Sequence, residues 1–224
     1  MVGGSGAIGQ AIGLRLAAMD YRVTLAARSL ERLEQARSRL TVAQHDVSCV
    51  ACDIGDESAV ERMVASVAER CGRIDVLVNA AGIGTRDFVI RTRSETWREL
   101  LRTNAIGVAL VCQRVLPLMK RQGSGHIINI GSIVGRHGRA GLAAYSASKA
   151  ALAALTDSLR EEAERSGVKV SIVSPDRVEG GMQGPAVEGA RMLPPSDVAE
   201  AVAFLLSLSP LASVPELSLY APSE

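Results

Sequence analysis

"MVGGSGAIGQAIG", residues 1–13, is the stretch on which the fold turns. A glycine cluster opening a helix normally sits in the turn after a buried strand. There, small residues let backbone N–H groups approach a pyrophosphate at the helix N-terminus. The glycines read in two registers. Gly4, Gly6 and Gly9 give G-x-G-x-x-G, while Gly3 and Gly9 fit G-x-x-x-G-x-G with Ala7 at the middle position. Only Met1 and Val2 precede Gly3, and two residues do not make a strand.

Beyond this turn the pattern alternates strand and helix without linker, repeat or low-complexity segment. Helices are expected in "GQAIGLRLAAM", "SLERLEQARSRL" with Ser29 as N-cap, and "DESAVERMVASVAERCG" ended by Gly72. Further helices are expected from Ser94 to Gln122, across "AAYSASKAALAALTDSLREEAERSG", and in "PSDVAEAVAFLLSL". Strands are expected in "YRVTLAAR", "DVSCVACDI", "IDVLVNAAG", "GHIINIGS", "VKVSIVSP" and "VPELSLYAP". "IDVLVNAAG" is a continuous apolar run, as in a strand covered on both faces. Repeated βα units imply an α/β, Rossmann-type, doubly wound parallel sheet, residues 1–224 forming a single domain.

In that sheet the strand before the glycine turn belongs between Val23–Ala26 and Val76–Asn79. It is apparently truncated, which leaves two buried edges unpaired. Each unsatisfied buried polar group costs about 1–3 kcal/mol. Several would rival a domain's stability of roughly 5–15 kcal/mol. Two explanations stand: a native chain that begins upstream of Met1, which we favour, or a protein that tolerates a damaged sheet. On the first, the chain as it stands is poorly stable although its candidate catalytic residues are complete.

The chain has 224 residues, 47% of them apolar, with 21 glycines, six aromatics and a net charge of +1. Nothing in this balance argues for a nucleic-acid or acidic-membrane partner. No apolar run is long enough to cross a membrane, and no signal segment is evident, so a soluble cytoplasmic protein is expected. Cys49, Cys52, Cys71 and Cys112 do not suggest a disulfide framework. Cys49 and Cys52 form C-x-x-C in an expected strand, where positions i and i+3 face opposite ways. No second cysteine pair or histidine cluster completes a metal site. His45, His126 and His137 are scattered among polar neighbours, and surface or loop positions account for them.

The end of the second expected strand bears on which dinucleotide fits. An acidic residue there would bind a ribose 2′-OH. Here Ala27 precedes Arg28, whose guanidinium can pair with a 2′-phosphate, so NADP is favoured over NAD. The alternative is that Arg28 is one more solvated loop cation.

"YSASK" carries the chemistry. Tyr145 and Lys149 are four apart on an expected helix and share a face. A phenol titrates near 10, too high for efficient proton transfer at neutral pH, and a neighbouring ammonium would lower it. Ser132 ends the strand "HIINIGS", 145 − 132 = 13 residues upstream, where its hydroxyl can meet a substrate carbonyl oxygen.

The glycine turn, "NAAG", "TNAIG", the strand-ending serine and Y-x-x-x-K, in this order and over essentially the whole chain, resemble the short-chain dehydrogenase/reductase family. The resemblance implies a catalytic tetrad of Asn104, Ser132, Tyr145 and Lys149. Tyr145 would be the general acid in carbonyl reduction and the base in alcohol oxidation. Ser132 would orient the substrate oxygen, Lys149 would lower the tyrosine pKa and bind the nicotinamide ribose, and Asn104 would hold a relay water. Cofactor contacts would come from Gly3, Ser5, Gly6, Ile8, Gly9, Arg28, Asp53, Asn79, Tyr145, Lys149 and Val178. Asp53 would meet the adenine or, alternatively, cap the next helix. Asn79 would support cofactor and sheet or, alternatively, only tie backbone together. The C-terminal stretch is similar to NADP-dependent members acting on small 3-hydroxy acids and related alcohols.

The chain departs from the family after the sixth strand. In "SPDRVEGGM", Asp176 replaces a usual glycine and Gly180 a usual threonine. An acidic side chain there is unhelpful to an anionic cofactor unless it points away. Met182–Pro195 reads as a short, abbreviated lid. The implied function is NADP-dependent hydride transfer between nicotinamide and a carbonyl or secondary alcohol of a small substrate. The alternatives are a non-catalytic NADP(H)-binding protein and a lyase or epimerase on the same fold. A homodimer or homotetramer is expected through the helices containing Trp97–Gln122 and Ala144–Glu164.

Overall fold

Leu77 and Val78 are neighbours in one strand yet belong to different cores, because successive side chains of a strand point to opposite faces. That alternation builds a three-layer α/β/α molecule. The computed structural model describes residues 1–40, 46–180 and 191–222. Most of the expected lid, 182–190, therefore lies outside the described residues, as does His45.

The strands are β1 (Val23–Ala27), β2 (Val47–Ala51), β3 (Val76–Asn79), β4 (Gly125–Ile130), β5 (Val168–Pro175) and β6 (Glu216–Leu219). The helices are α1 (Ala7–Ala17), α2 (Leu30–Leu40), α3 (Glu57–Cys71), α4 (Ser94–Leu101), α5 (Gly107–Gln122), α6 (Ala143–Ala163) and α7 (Pro195–Ser207). Helices α3, α5 and α6 cover one face with residues such as Val60, Val111 and Leu152; α1, α2 and α7 cover the other with Ile12, Leu33 and Val202. The expected Ser29 cap forms, its Oγ accepting from Arg32 N–H at 3.3 Å. Gly72 ends α3 at φ 74°, a left-handed conformation glycine adopts without penalty.

All strand pairs are parallel, but the hydrogen-bonded sheet comes in two pieces, β2-β1 and β3-β4-β5-β6. Met1 and Val2 stand between them. Val2 N–H donates to Val78 C=O and Val2 C=O accepts from Ala80 N–H, both at 2.9 Å. Met1 C=O accepts from Ala26 N–H at 2.8 Å, and the Met1 α-ammonium donates to Thr24 C=O at 2.9 Å. Met1 and Val2 thus make the bridges of a parallel strand between the two pieces.

Two expectations are corrected. The helix expected from Ser94 to Gln122 is interrupted by a π-helical turn, Arg102–Ile106. Its cause is distant in sequence: buried Asn104 is tied to the Ile83 backbone and to Ser148, drawing the chain out of α register. His126 is not a surface residue. It is buried in β4 with Nε2 2.9 Å from Ser171 Oγ, and burial lowers its pKa to about 4.

Candidate active site

The carboxyl ends of β3, β4 and β5 open into a cavity of about 290 Å³ on the seam between the two sheet pieces. The chain runs outward from β1 to β2 and returns across the seam to β3. That reversal is where ligands bind in doubly wound sheets. Gly6, Ile8 and Gly9 line the cavity on one side; Ser132, Tyr145 and Lys149 line it on another, with Asp176 and Val178 beside them.

The glycine turn is built by close approach. Gly3 has φ 83°, and a side chain there would collide with the Ala80–Ala81 backbone. Gly9 packs on the Gly3 carbonyl, leaving no room for a Cβ. Gly6 is different: nothing crowds its Cβ position, and it serves as N-cap of α1 without a side-chain cap. The first N–H groups of α1 therefore face the cavity unclaimed by any capping side chain, a ready anion site. Gly3 and Ser5 stand behind this rim. The Ser5 carbonyl is held by Gln10 Nε2 at 2.9 Å.

Ser132 follows β4 and caps a short 3-10 turn, Ile133–Gly135. Its Oγ accepts from Val134 N–H and donates to Pro175 C=O, both at 3.4 Å, long contacts that leave the hydroxyl available. One turn into α6, Tyr145 is half-buried, and four residues on Lys149 is buried. The shared face is as expected. Burial pushes the Tyr145 phenol up to about 12, with the Ser132 hydrogen bond opposing it. Lys149 Nζ donates to Ile130 C=O at 2.8 Å and stands 5.9 Å from the Tyr145 ring centre. Burial brings the Lys149 ammonium down to about 8.

Asn104 lies beneath the cavity. Its Oδ1 accepts from Ile83 N–H at 2.8 Å; its Nδ2 donates to Ile83 C=O at 2.8 Å and to Ser148 Oγ at 2.9 Å. Both Nδ2 hydrogens are used, so any water held here must donate to an Asn104 oxygen. Asn79 donates to Asn129 Oδ1 at 2.9 Å, and Asn129 to Thr156 Oγ1 at 2.9 Å, tying β3 to β4 and α6. The Asn79 Oδ1 is buried without a partner.

Asp53 does not cap the next helix. Asp56 does, accepting from Ala59 N–H at 3.1 Å. Asp53 instead turns the loop through Gly55 N–H and pairs with Arg102 at 2.9 Å, which holds its carboxyl below the usual range. Arg28 adds to that field from the end of β1. Asp176 lines the cavity but is paired with Arg139 at 3.1 Å, so its charge is offset on the spot. Gly180, at φ 65°, sits so close to Ala7 that a side chain would press on it, accounting for glycine there.

Sequence reasoning missed Arg86, Arg139 and Arg177, all of which line the cavity. The buried Nε of Arg177 has no partner. With Lys149 they make, among the described residues, four cations against the one carboxylate of Asp176, a field suited to an anionic ligand. Their signal was absent because loop arginines carry no period.

A family model described as short chain dehydrogenase matches residues 1–190. The chain is 35% identical to carbonyl reductase family member 4 of Xenopus tropicalis over 212 residues, 91% of this chain and 88% of the relative. It is 34% identical to a 3-oxoacyl-[acyl-carrier-protein] reductase of Bos taurus, with the same shares covered. Among solved structures it is similar to a metagenomic short-chain oxidoreductase in complex with NADP, at TM-score 0.88 and 31% identity, covering 100% of this chain and 96% of that one. It is also similar to an alcohol dehydrogenase of Thermococcus sibiricus complexed with 5-hydroxy-NADP, at TM-score 0.89 and 31% identity, covering 98% and 94%.

Proposed function

The chain belongs to the short-chain dehydrogenase family and is an oxidoreductase acting on CH–OH or C=O groups; we propose that it is an NADP-dependent carbonyl reductase with Tyr145 as proton donor. The observation that carries this reading is one cavity in which the Gly6–Gly9 rim and the Ser132, Tyr145 and Lys149 wall face the same space. The residues fit a dinucleotide: α1 presents uncapped N–H groups, and Gly6 leaves the approach open. NADPH, when bound, supplies the hydride.

The chain's own residues do the rest. Arg28 meets the 2′-phosphate, and Asp53 lies at the end of β2 toward the adenine side. Ser132 Oγ donates to the substrate carbonyl oxygen and polarises it. Tyr145, protonated throughout the neutral range, delivers its phenolic proton to that oxygen as it becomes an alkoxide. Lys149, mostly charged below about pH 8, steadies the resulting phenolate and holds the ribose. The arginine-rich mouth favours a small carbonyl substrate that carries an anionic group.

Single domain, cytoplasmic location and assembly as a homodimer or homotetramer belong to the same reading. Ala147, Ala150 and Ala154 form an exposed small-residue stripe on α6 for close helix packing. The test is NADPH consumption across a carbonyl panel by the wild type and Tyr145→Phe. Loss of about 10²–10⁴-fold in reduction with NADPH affinity kept is expected. Unchanged turnover would remove Tyr145 from the role.

A further inference from the structure

The cavity at the carboxyl ends of the strands receives an arginine from each of three loops: Arg86 after β3, Arg139 after β4 and Arg177 after β5. Backbone bonds fasten these loops. Asp87 N–H donates to Gly141 C=O at 2.9 Å, which ties the Arg86 loop to the Arg139 loop, and the Arg86 stem lies beside Gly141. Arg177 C=O accepts from Leu193 N–H at 2.8 Å, and Glu179 N–H donates to Leu193 C=O at 2.9 Å. A second cavity on the seam, of about 320 Å³ toward the amino ends of β1 and β3, is lined mostly by apolar side chains.

The three arginines are not equivalent. Arg139 Nη1 donates to Asp176 Oδ1 at 3.1 Å, and the Asp176 side chain is only 7% exposed. That pair spans the loops after β4 and β5 and fixes where Arg139 points. The acidic residue at 176, unhelpful to an anion by itself, thus serves as an anchor. Arg177 has no carboxylate partner among the described residues, and its Nε is buried without a hydrogen bond. An unmet buried donor on a charged group is costly, and an acceptor reaching it from the cavity removes that cost. The reacting end is close along the chain: Ser132 Oγ donates to Pro175 C=O at 3.4 Å, and Arg177 is two residues on.

We infer that Arg177, supported by Arg86 and Arg139, is the subsite for the carboxylate of a short oxo acid whose carbonyl lies at Ser132 and Tyr145. This rests on the carbonyl-reductase reading above and specifies its substrate. A guanidinium presents parallel N–H donors that match the two oxygens of a carboxylate, where an ammonium is only a point charge. Arg177 makes the direct contact, through the donor the protein leaves unmet. Arg86 and Arg139 add to the field from the neighbouring loops. The acid is short, because a cavity of about 290 Å³ must also admit the nicotinamide end of the dinucleotide. A neutral ketone of the same shape leaves the Arg177 Nε buried and unpaired. Discrimination therefore comes from an unmet polar group rather than from size.

The test is calorimetric titration of the whole protein, free of dinucleotide, with 3-oxobutanoate and with pentane-2,4-dione, which has the same shape and no charge. The acid should bind at least tenfold more tightly than the dione. Arg177→Gln should lose about tenfold for the acid, and with it most of that preference. Arg177→Lys, which keeps the charge without the fork, should restore only part of it. With NADPH present, both variants should raise KM for the acid more than they lower kcat. Absence of acid binding, equal binding of acid and dione by the wild type, or an undiminished preference in Arg177→Gln would overturn the inference. So would a loss in that variant that falls on NADPH and spares the acid, which would give Arg177 to the dinucleotide. The two readings fail separately. Acid bound but not reduced removes the proposed activity, whereas acid and dione bound and reduced alike removes this site.

Discussion

The two cavities on the seam are close in size, about 290 and 320 Å³, and differ in almost everything else. The one at the carboxyl ends of the strands gathers hydroxyl, phenol, ammonium and guanidinium groups around a glycine rim. The one toward the amino ends gathers valine, leucine and methionine, with Arg22, Arg73 and Asp75 also on its lining. Position in the sheet explains the contrast. Loops and helix starts can place side chains of any chemistry above strand ends, whereas between strands only backbone and inward apolar side chains are available. Volume therefore says little about use, and the polar groups that converge on a space say most.

Four changes would sharpen or break that contrast, in descending size of effect. Gly9→Ala drives a Cβ into the Gly3 carbonyl and should cost about 3 kcal/mol and disable cofactor binding, read by thermal unfolding and NADPH titration. An unaffected variant would mean that the rim is not rigid. Within the sheet, buried His126 has a folded pKa lowered to about 4 against 6.5 unfolded. The unfolded chain therefore binds the extra proton between those values. Its contribution to stability is full above about pH 6.5 and falls by roughly 3 kcal/mol as pH drops to 4. Denaturant midpoints that are flat from pH 7 to 4 would mean that the imidazole is solvated.

Arg28→Ala should weaken NADPH at least tenfold, the size of a lost charge-assisted pair, and leave NADH unchanged. Equal loss for both would make Arg28 a general cation rather than a 2′-phosphate reader. Smallest is Val67→Leu, which adds a methylene to the lining of the cavity toward the amino ends. It should gain about 0.5–1 kcal/mol by filling space, where added bulk at the glycine rim only harms.

Much of this molecule was legible in its residues because the signals are local. The alternation of strand and helix, the Ser29 and Gly72 boundaries and the shared face of Tyr145 and Lys149 all follow from spacing within a few residues. What escaped depends on partners far along the chain. The π turn at Asn104 needs Ile83 and Ser148, and the burial of His126 needs Ser171. Asp53 turned out to brace Arg102, 49 residues away, not to cap α3. Burial pushes the Tyr145 phenol up, an influence that belongs to the whole cavity and not to Y-x-x-x-K.

The turn that offers N–H groups to a dinucleotide hangs directly from the two residues that join the sheet pieces. Occupancy of the rim and cohesion of the seam are therefore one equilibrium. A ligand gripping Gly6–Gly9 works as a clasp on Met1 and Val2. At a hundred times its dissociation constant, such a clasp adds about 2.7 kcal/mol to the folded state. Cellular supply of the dinucleotide would then set the lifetime of the protein as well as its turnover.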